Sequence, residues 1–261
     1  MTRPASHNDI RGSGARQGVL RHFPPFLISL GVEPEYAIEI TKRLSELFEE
    51  SEDKMLRDVG QLFTNAGVRD RWGHALANAR AVHLANSLLP LLEGKRILDL
   101  LCGDGAVGVN FESTSGREVL LVERPGQRGV VPRPWLGRVR DFDSFSRSRE
   151  PSVCDTSVLS TVLHHEEEPM SLLELAAFSS TRRIVIIENC IEEQYDAEYH
   201  LLVDAIFNRS LYQTDLLWPG QHRTAEDWIA MCSNFGSAKI AGHLTAVPGI
   251  PLPHTLIVVD L

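Results

Sequence analysis

The sequence predicts an α/β fold: a mostly parallel seven-stranded sheet, covered on both faces, behind a helical N-terminal third. Three observations predict it. From Arg96 onward, short apolar runs alternate with segments of helical period, the pattern of a parallel sheet with crossover helices. The first of those runs, 97–101, ends in the tight turn Cys102-Gly103-Asp104-Gly105 and passes into the helix-compatible Ala106-Val107-Gly108-Val109. Ahead of it, residues 23–92 carry apolar side chains at three- and four-residue spacing.

Composition sets the bounds. The 261 residues allow one large domain or a domain with a helical extension, and 43% hydrophobic against 23% charged residues supports a sizeable core. A formal net charge of −9 repels phosphate backbones, which argues against an extended nucleic-acid surface and leaves room only for a local basic patch. Cys102, Cys154, Cys190 and Cys232 form no Cys-x-x-Cys pair. They read as reduced thiols of a cytosolic protein, with no disulfide frame and no zinc site, and no metal is expected. No apolar run reaches the length of a membrane span, and residues 1–18 have no apolar core of a secretory signal. The expected setting is cytoplasmic, with no membrane partner.

Taken in order, residues 1–18 are rich in Gly, Ser, Arg and Asn and read as a loose tail. Pro34 marks a helix start followed by Ala37, Ile40, Leu44, Leu47 and Phe48, and the acidic run 49–53 ends or exposes that helix. A second helix is expected over 55–64, with Leu56, Val59, Leu62 and Phe63 on one face, and a third over 74–92. Strands are expected at 97–101, 119–123, 138–140, 156–163, 183–188, 238–244 and 255–260. Residues 189–224 exceed what one crossover helix requires, and carry Tyr195, Tyr199, His200, Phe207, Asn208, Tyr212, Trp218 and His222. Thr224 reads as an N-cap with Asp227 three residues on. The chain thus divides into a flexible tail (1–20), a helical lid or subdomain (21–92) and an α/β domain (93–261) with an insertion at 189–224.

A buried strand feeding a Gly turn and then a helix presents backbone N–H groups to a ligand, and Gly103 and Gly105 let the chain approach it closely. The stretch 96–109 resembles the first motif of the class I S-adenosylmethionine-dependent methyltransferases, an acidic residue followed by Gly-x-Gly-x-Gly. Asp99, Gly103 and Gly105 match, Cys102 is a frequent variant, and Leu101 stands where the first glycine is usual. The resemblance spans 88–261 and implies a Rossmann-like fold closed by an antiparallel hairpin, with S-adenosyl-L-methionine as cofactor. Glu123, eighteen residues beyond Gly105, ends the second strand. A carboxylate there can accept hydrogen bonds from two adjacent hydroxyls, so the resemblance gives it the ribose; the alternative is a solvated strand-end carboxylate. Asp141 and Phe142 correspond to the adenine contacts, with Asp143 a competitor and a simple loop turn the alternative.

The run SVLSTVLHHEEEP, ending at Pro169, resembles the fourth motif of the ubiquinone/menaquinone methyltransferase-like branch. That likeness places the main chain around Thr161 and Leu163 near the cofactor's methionine part. His165, His164 or His222 could take a proton from a substrate hydroxyl, since imidazole titrates near neutral pH; otherwise they cap or pack. On an extended or turning chain His164 and His165 should diverge, with His165 the one facing the site and His222 reaching in from the opposite wall. His222 and Arg223 are also candidate substrate contacts, against a bland reading of a packed helix and a Pro-Gly turn. The resemblance implies methyl transfer to a small-molecule acceptor, first of all at oxygen. A methyltransferase acting on a protein or tRNA, or a catalytically silent cofactor-binding partner whose Leu101 crowds the methionine moiety, are the alternatives.

Overall fold

The computed structural model describes residues 10–124, 138–148, 151–193, 195–211 and 220–261. The chain opens with α1 (Ser13–Ser29), α2 (Pro34–Glu46), α3 (Glu52–Asn65), α4 (Val68–His74) and α5 (Ala81–Leu88). Pro34 occupies the first turn of α2, where its missing N–H has no partner to lose. The single helix expected over 74–92 is composite: α4 runs through a π-helical stretch, Ala75–Arg80, into α5, and a 3-10 turn, Leu89–Leu91, ends it.

The tail expected over 1–20 does not hold from Ser13 onward. Helix α1 starts at Ser13, and Ala15 and Val19 have no exposed surface. The glycines that read as flexible serve close approach instead. A Cβ on Gly14 would lie 2.4 Å from Asp196, and one on Gly18 would lie 2.4 Å from the Tyr199 ring. Residues 1–9 lie outside the described residues.

All seven expected strands are present. They are β1 (Arg96–Leu100), β2 (Glu118–Glu123), β3 (Arg140–Asp141), β4 (Cys154–Ser160), β5 (Ser180–Glu188), β6 (Ser237–Leu244) and β7 (His254–Asp260). Their order is β3-β2-β1-β4-β5-β7-β6, parallel throughout except that β7 runs antiparallel to both β5 and β6. Between them stand α6 (Ala106–Ser115), α7 (Phe142–Ser148), α8 (Pro169–Ser179), α9 (Ala197–Ala205) and α10 (Ala225–Cys232). Strand residues alternate between two buried faces. Ile97, Val158, Val185 and Ile187 pack against Leu84 and Leu88 of α5 and Phe111 of α6. Leu98, Leu100, Leu159, Ile184 and Ile186 pack against Phe145 of α7, Leu173 of α8 and Trp228 of α10. Burial on both faces explains why these strands read as unbroken apolar runs. Strand β4 stops at Ser160 rather than Leu163 because Thr161 takes a left-handed backbone, φ 54°.

The insertion supplies α9 and a π-helical stretch, Ile206–Leu211. Tyr199, Leu202, Val203 and Ile206 enter one core with Val19, Phe23, Phe63 and Trp72 of the N-terminal helices. The helical third and the insertion therefore share a single core, pinned to the β6–β7 connection by the Trp72 Nε1–H bond to the Gly249 carbonyl, 2.6 Å. Tyr212 and Trp218 lie outside the described residues. Among those described, no helix is long and apolar enough to cross a membrane.

Candidate active site at the sheet switch point

In an open parallel sheet, ligands bind beyond the carboxyl ends of the strands where the strand order reverses. Here that point lies between β1 and β4, since β2 and β3 follow β1 on one side while β4 and β5 follow on the other. Two turns flank the crevice, the Gly turn after β1 and the His-His turn after β4.

The Gly turn places alternate residues in the left-handed region: Leu101 at φ 58°, Gly103 at 59° and Gly105 at 76°. The Cys102 N–H donates to the Val122 carbonyl at 3.1 Å, and the Gly105 N–H to the Cys102 carbonyl at 2.9 Å. Asp104 Oδ1 accepts from the Ala106 N–H at 2.9 Å and so satisfies the first amide of α6 from the turn before its Gly105 cap. Among the described residues, a Cβ built on Gly103 meets no atom within 4 Å, so the turn faces open space among them. Leu101, the departure from the glycine pattern, adopts the backbone a glycine would adopt. Its side chain is 5% exposed and lies in the core with Leu98, Leu100 and Val122. The left-handed conformation costs a non-glycine residue about 1–2 kcal/mol, less than burying a leucine contributes.

Behind the turn sit two buried carboxylates. Asp99, 1% exposed, is raised to about 7, chiefly by burial and then by the charge of Glu123. Among the described residues its Oδ2 has no hydrogen-bond partner. Glu123, 2% exposed at the end of β2, is also raised to about 7 by burial, against the pull of the Arg124 and Gly103 amides. Its Oε2 accepts from the Gly103 N–H at 2.5 Å and its Oε1 from the Arg124 N–H at 2.7 Å. Each oxygen keeps a second lone pair. Burial also pushes the Cys102 thiol up, which disfavours its thiolate. Sequence reading passed over Gly108. A Cβ there would lie 2.7 Å from Asp99 Oδ2 and 2.4 Å from Leu121, so only glycine lets α6 settle onto β1 and β2. Its signal was present, three residues beyond Gly105 in a Gly-x-Gly-x-x-Gly series.

Asp141 and Phe142 stand at the end of β3. Asp141 Oδ1 accepts from the Ser144 N–H at 2.9 Å, a local hydrogen bond of the kind the loop-turn alternative expects, here at the start of α7. The Arg124 guanidinium lies 4.9 Å over the Phe142 ring and pairs with both oxygens of Glu166, at 2.7 and 2.6 Å. This pair ties the end of β2 to the His-His turn.

That turn is held from below by Glu188 at the end of β5. Glu188 Oε1 accepts from the Val162 N–H at 2.8 Å and the Leu163 N–H at 2.7 Å, and Oε2 lies 2.5 Å from His164 Nδ1. Thr161 Oγ1 accepts from Arg80 Nη2 at 2.9 Å, so the π-helical stretch brings a cation from the helical third to the crevice.

The three histidines meet, but not as expected. His164 and His165 do not diverge; their ring centroids are 3.9 Å apart. Leu163–His165 is a 3-10 turn, in which neighbouring side chains are about 120° apart rather than on opposite faces. His222 does not reach in from an opposite wall. Its ring stacks on His164 at 4.6 Å, and its Nε2 lies 2.8 Å from Asp204 Oδ2. Asp204, on α9, faces His164 Nε2 at 3.5 Å as well. Burial pulls His164 down, but the charges of Glu188 and Asp204 outweigh it and leave it raised to about 8. His165, half-buried, is lowered to about 3 by burial and by His164. Burial works against the Asp204 carboxylate, yet the facing His222 and His164 hold it well below the usual range. Asp204 and Glu188 were not singled out in the sequence. Asp204 could have been, as the one acid in the apolar helical run HLLVDAIF.

No family model and no curated protein matches this chain. Solved structures do. The pyocyanin biosynthetic protein PhzM is 19% identical, with 99% of this chain and 76% of its own covered at a TM-score of 0.50. YcgJ from Bacillus subtilis is 13% identical, with 68% of this chain and 97% of its own covered at a TM-score of 0.50. The mitomycin 7-O-methyltransferase MmcR is 18% identical, with 93% of this chain and 75% of its own covered at a TM-score of 0.48. At these identities PhzM and YcgJ share the fold with this chain, a seven-stranded Rossmann-like sheet with a terminal antiparallel hairpin.

Proposed function

We propose that the chain is an S-adenosylmethionine-dependent methyltransferase acting on a small-molecule acceptor, at oxygen. One observation carries this reading: the Gly turn, the Asp99–Glu123 carboxylates and a histidine cluster converge on the two sides of the β1–β4 switch point. The residues fit the cofactor. Glu123 retains lone pairs for ribose hydroxyls, and Gly103 leaves open space that a Cβ would narrow. Gly103, Gly105, Cys102 and Leu101 would line it with main chain, Asp141 and Phe142 would border the adenine, and Thr161 and Leu163 would border the methionine part. Asp99 would support the turn from beneath, through its place against Gly108.

When bound, the cofactor supplies a methyl group already activated by its sulfonium charge. What remains for the protein is alignment and exclusion of water, and alignment can supply about 7–11 kcal/mol. A general base adds about 10²–10⁴-fold in rate. His164 is the best-supplied proton acceptor, because two carboxylates stabilise its charged form. His165, beside it and half-buried, stays neutral and can orient a hydroxyl. Leu101 gives no support to a silent partner, since its side chain is committed to the core. The net charge of −9 weighs against tRNA. The test is transfer of a labelled methyl group from S-adenosylmethionine into a metabolite extract. Label in a small molecule supports the reading; label in protein or RNA, or none, refutes it.

A further inference from the structure

We propose that His164, His165 and Asp204 form a binding site for one divalent transition-metal ion of the zinc type. The three side chains come from two elements, the turn after β4 and helix α9, and each offers one ligand atom within 4.8 Å of the others. Two imidazole nitrogens and a carboxylate suit zinc or ferrous iron, not magnesium or calcium, which demand oxygen donors.

The juxtaposition of His164 and Asp204 is the second observation. Among the described residues, His164 Nε2 is buried and makes no hydrogen bond, yet Asp204 Oδ2 stands 3.5 Å away. That is too long for a good hydrogen bond between a ring nitrogen and a carboxylate. It is close to the edge of a tetrahedral site, about 3.4 Å for bonds of about 2.1 Å. The surrounding shell matches what metal-bound histidines need. Glu188 holds His164 Nδ1 at 2.5 Å, which directs the ring's other nitrogen toward Asp204. His222 Nε2, whose ring stacks on His164, holds Asp204 Oδ2 at 2.8 Å. Two carboxylates, Asp204 and Glu188, offset the cationic Arg80 nearby. Three protein ligands leave a position open, as in zinc sites that also bind a substrate oxygen.

Zinc would take the same His164 Nε2 that accepts the proton in methyl transfer, so ion and proton compete for it; the inference goes beyond methyl transfer and is tested without cofactor or acceptor, so the two readings fail separately. The full chain, freed of metal with a chelator that is then removed, is titrated with zinc chloride against a chromophoric chelator. One ion per chain is expected, bound at least 100-fold more weakly by His165→Gln and by Asp204→Asn, and about 10–100-fold more weakly by Glu188→Gln. His165 is half-buried, so His165→Gln decides the matter if Asp204→Asn does not fold. Cobalt(II) should give the visible bands of a four-coordinate nitrogen–oxygen site in the wild type and lose them in His165→Gln. Magnesium should not compete. Zinc bound equally by wild type and His165→Gln would mean adventitious surface histidines, and no stoichiometric binding would mean that a proton occupies the gap; either result overturns the proposal.

Discussion

Leu101 can be tested through its backbone as well as its side chain. Removing the side chain as Leu101→Ala should cost about 2–5 kcal/mol, since the residue is 5% exposed within a core of Leu98, Leu100 and Val122. Leu101→Gly deletes one carbon more, about 0.8 kcal/mol, and adds about 0.5–1 kcal/mol of chain entropy. At an ordinary position glycine would therefore be the less stable of the two by about 1.5 kcal/mol. At φ 58° glycine also sheds about 1–2 kcal/mol of left-handed strain. The two terms cancel, so both variants should unfold at nearly the same urea concentration, well below wild type. Calorimetry should show similar S-adenosylmethionine affinity in wild type and variants, because the lost atoms lie in the core. If alanine exceeds glycine by more than about 1.5 kcal/mol, the left-handed turn is wrong. A large affinity gain in Leu101→Gly would show that the side chain obstructs the site.

Asp99→Asn removes a carboxyl held near 7 when folded and near 3.8 when not. The folded form keeps a proton that the unfolded form loses, so its contribution is present below pH 4 and disappears as pH rises to 7; the variant should gain stability at pH 8, on the order of a few kcal/mol, and none at pH 4. Deleting residues 1–20 should lower urea stability sharply, because Ala15 and Val19 are fully buried; equal stability would mean α1 is dispensable. In single-turnover methyl transfer at saturating cofactor, His164→Gln should lose about 10²–10⁴ in rate with cofactor affinity unchanged. The wild-type rate should rise with pH toward about 8 as His164 loses its proton, and wild-type rates in the His164, His165 and His222 variants would leave catalysis to alignment alone.

The sheet was legible because both of its faces are buried. Runs such as RIVIIE and ILDLL need no alternation to read as strands, and Thr224 with Asp227 forms the capping box their spacing announced. The end of β4 was not, because nothing in a threonine signals φ 54°. Helix α1 was hidden because Gly14 and Gly18, which make room for Asp196 and Tyr199, look locally like linker residues. The π-helical stretch Ala75–Arg80 has no periodic signature, so the arrival of Arg80 at Thr161 was invisible. At the site, the Gly turn and Glu123 announce themselves within thirty residues of sequence. The His164–Asp204–His222 contacts join the β4 end to a helix forty residues away, which local patterning cannot pair.

The proposed cofactor site rests on the Gly turn and Glu123 at the β1–β4 switch point. Calorimetric titration of S-adenosylhomocysteine into wild type and Glu123→Ala, with circular dichroism to show an unchanged fold, tests it most directly. Wild type should bind one equivalent. The variant should bind at least tenfold more weakly, since each charge-assisted hydrogen bond to a ribose hydroxyl contributes about 1.5–3 kcal/mol. Equal affinity would remove Glu123 from the site, and no binding by the wild type would contradict the account.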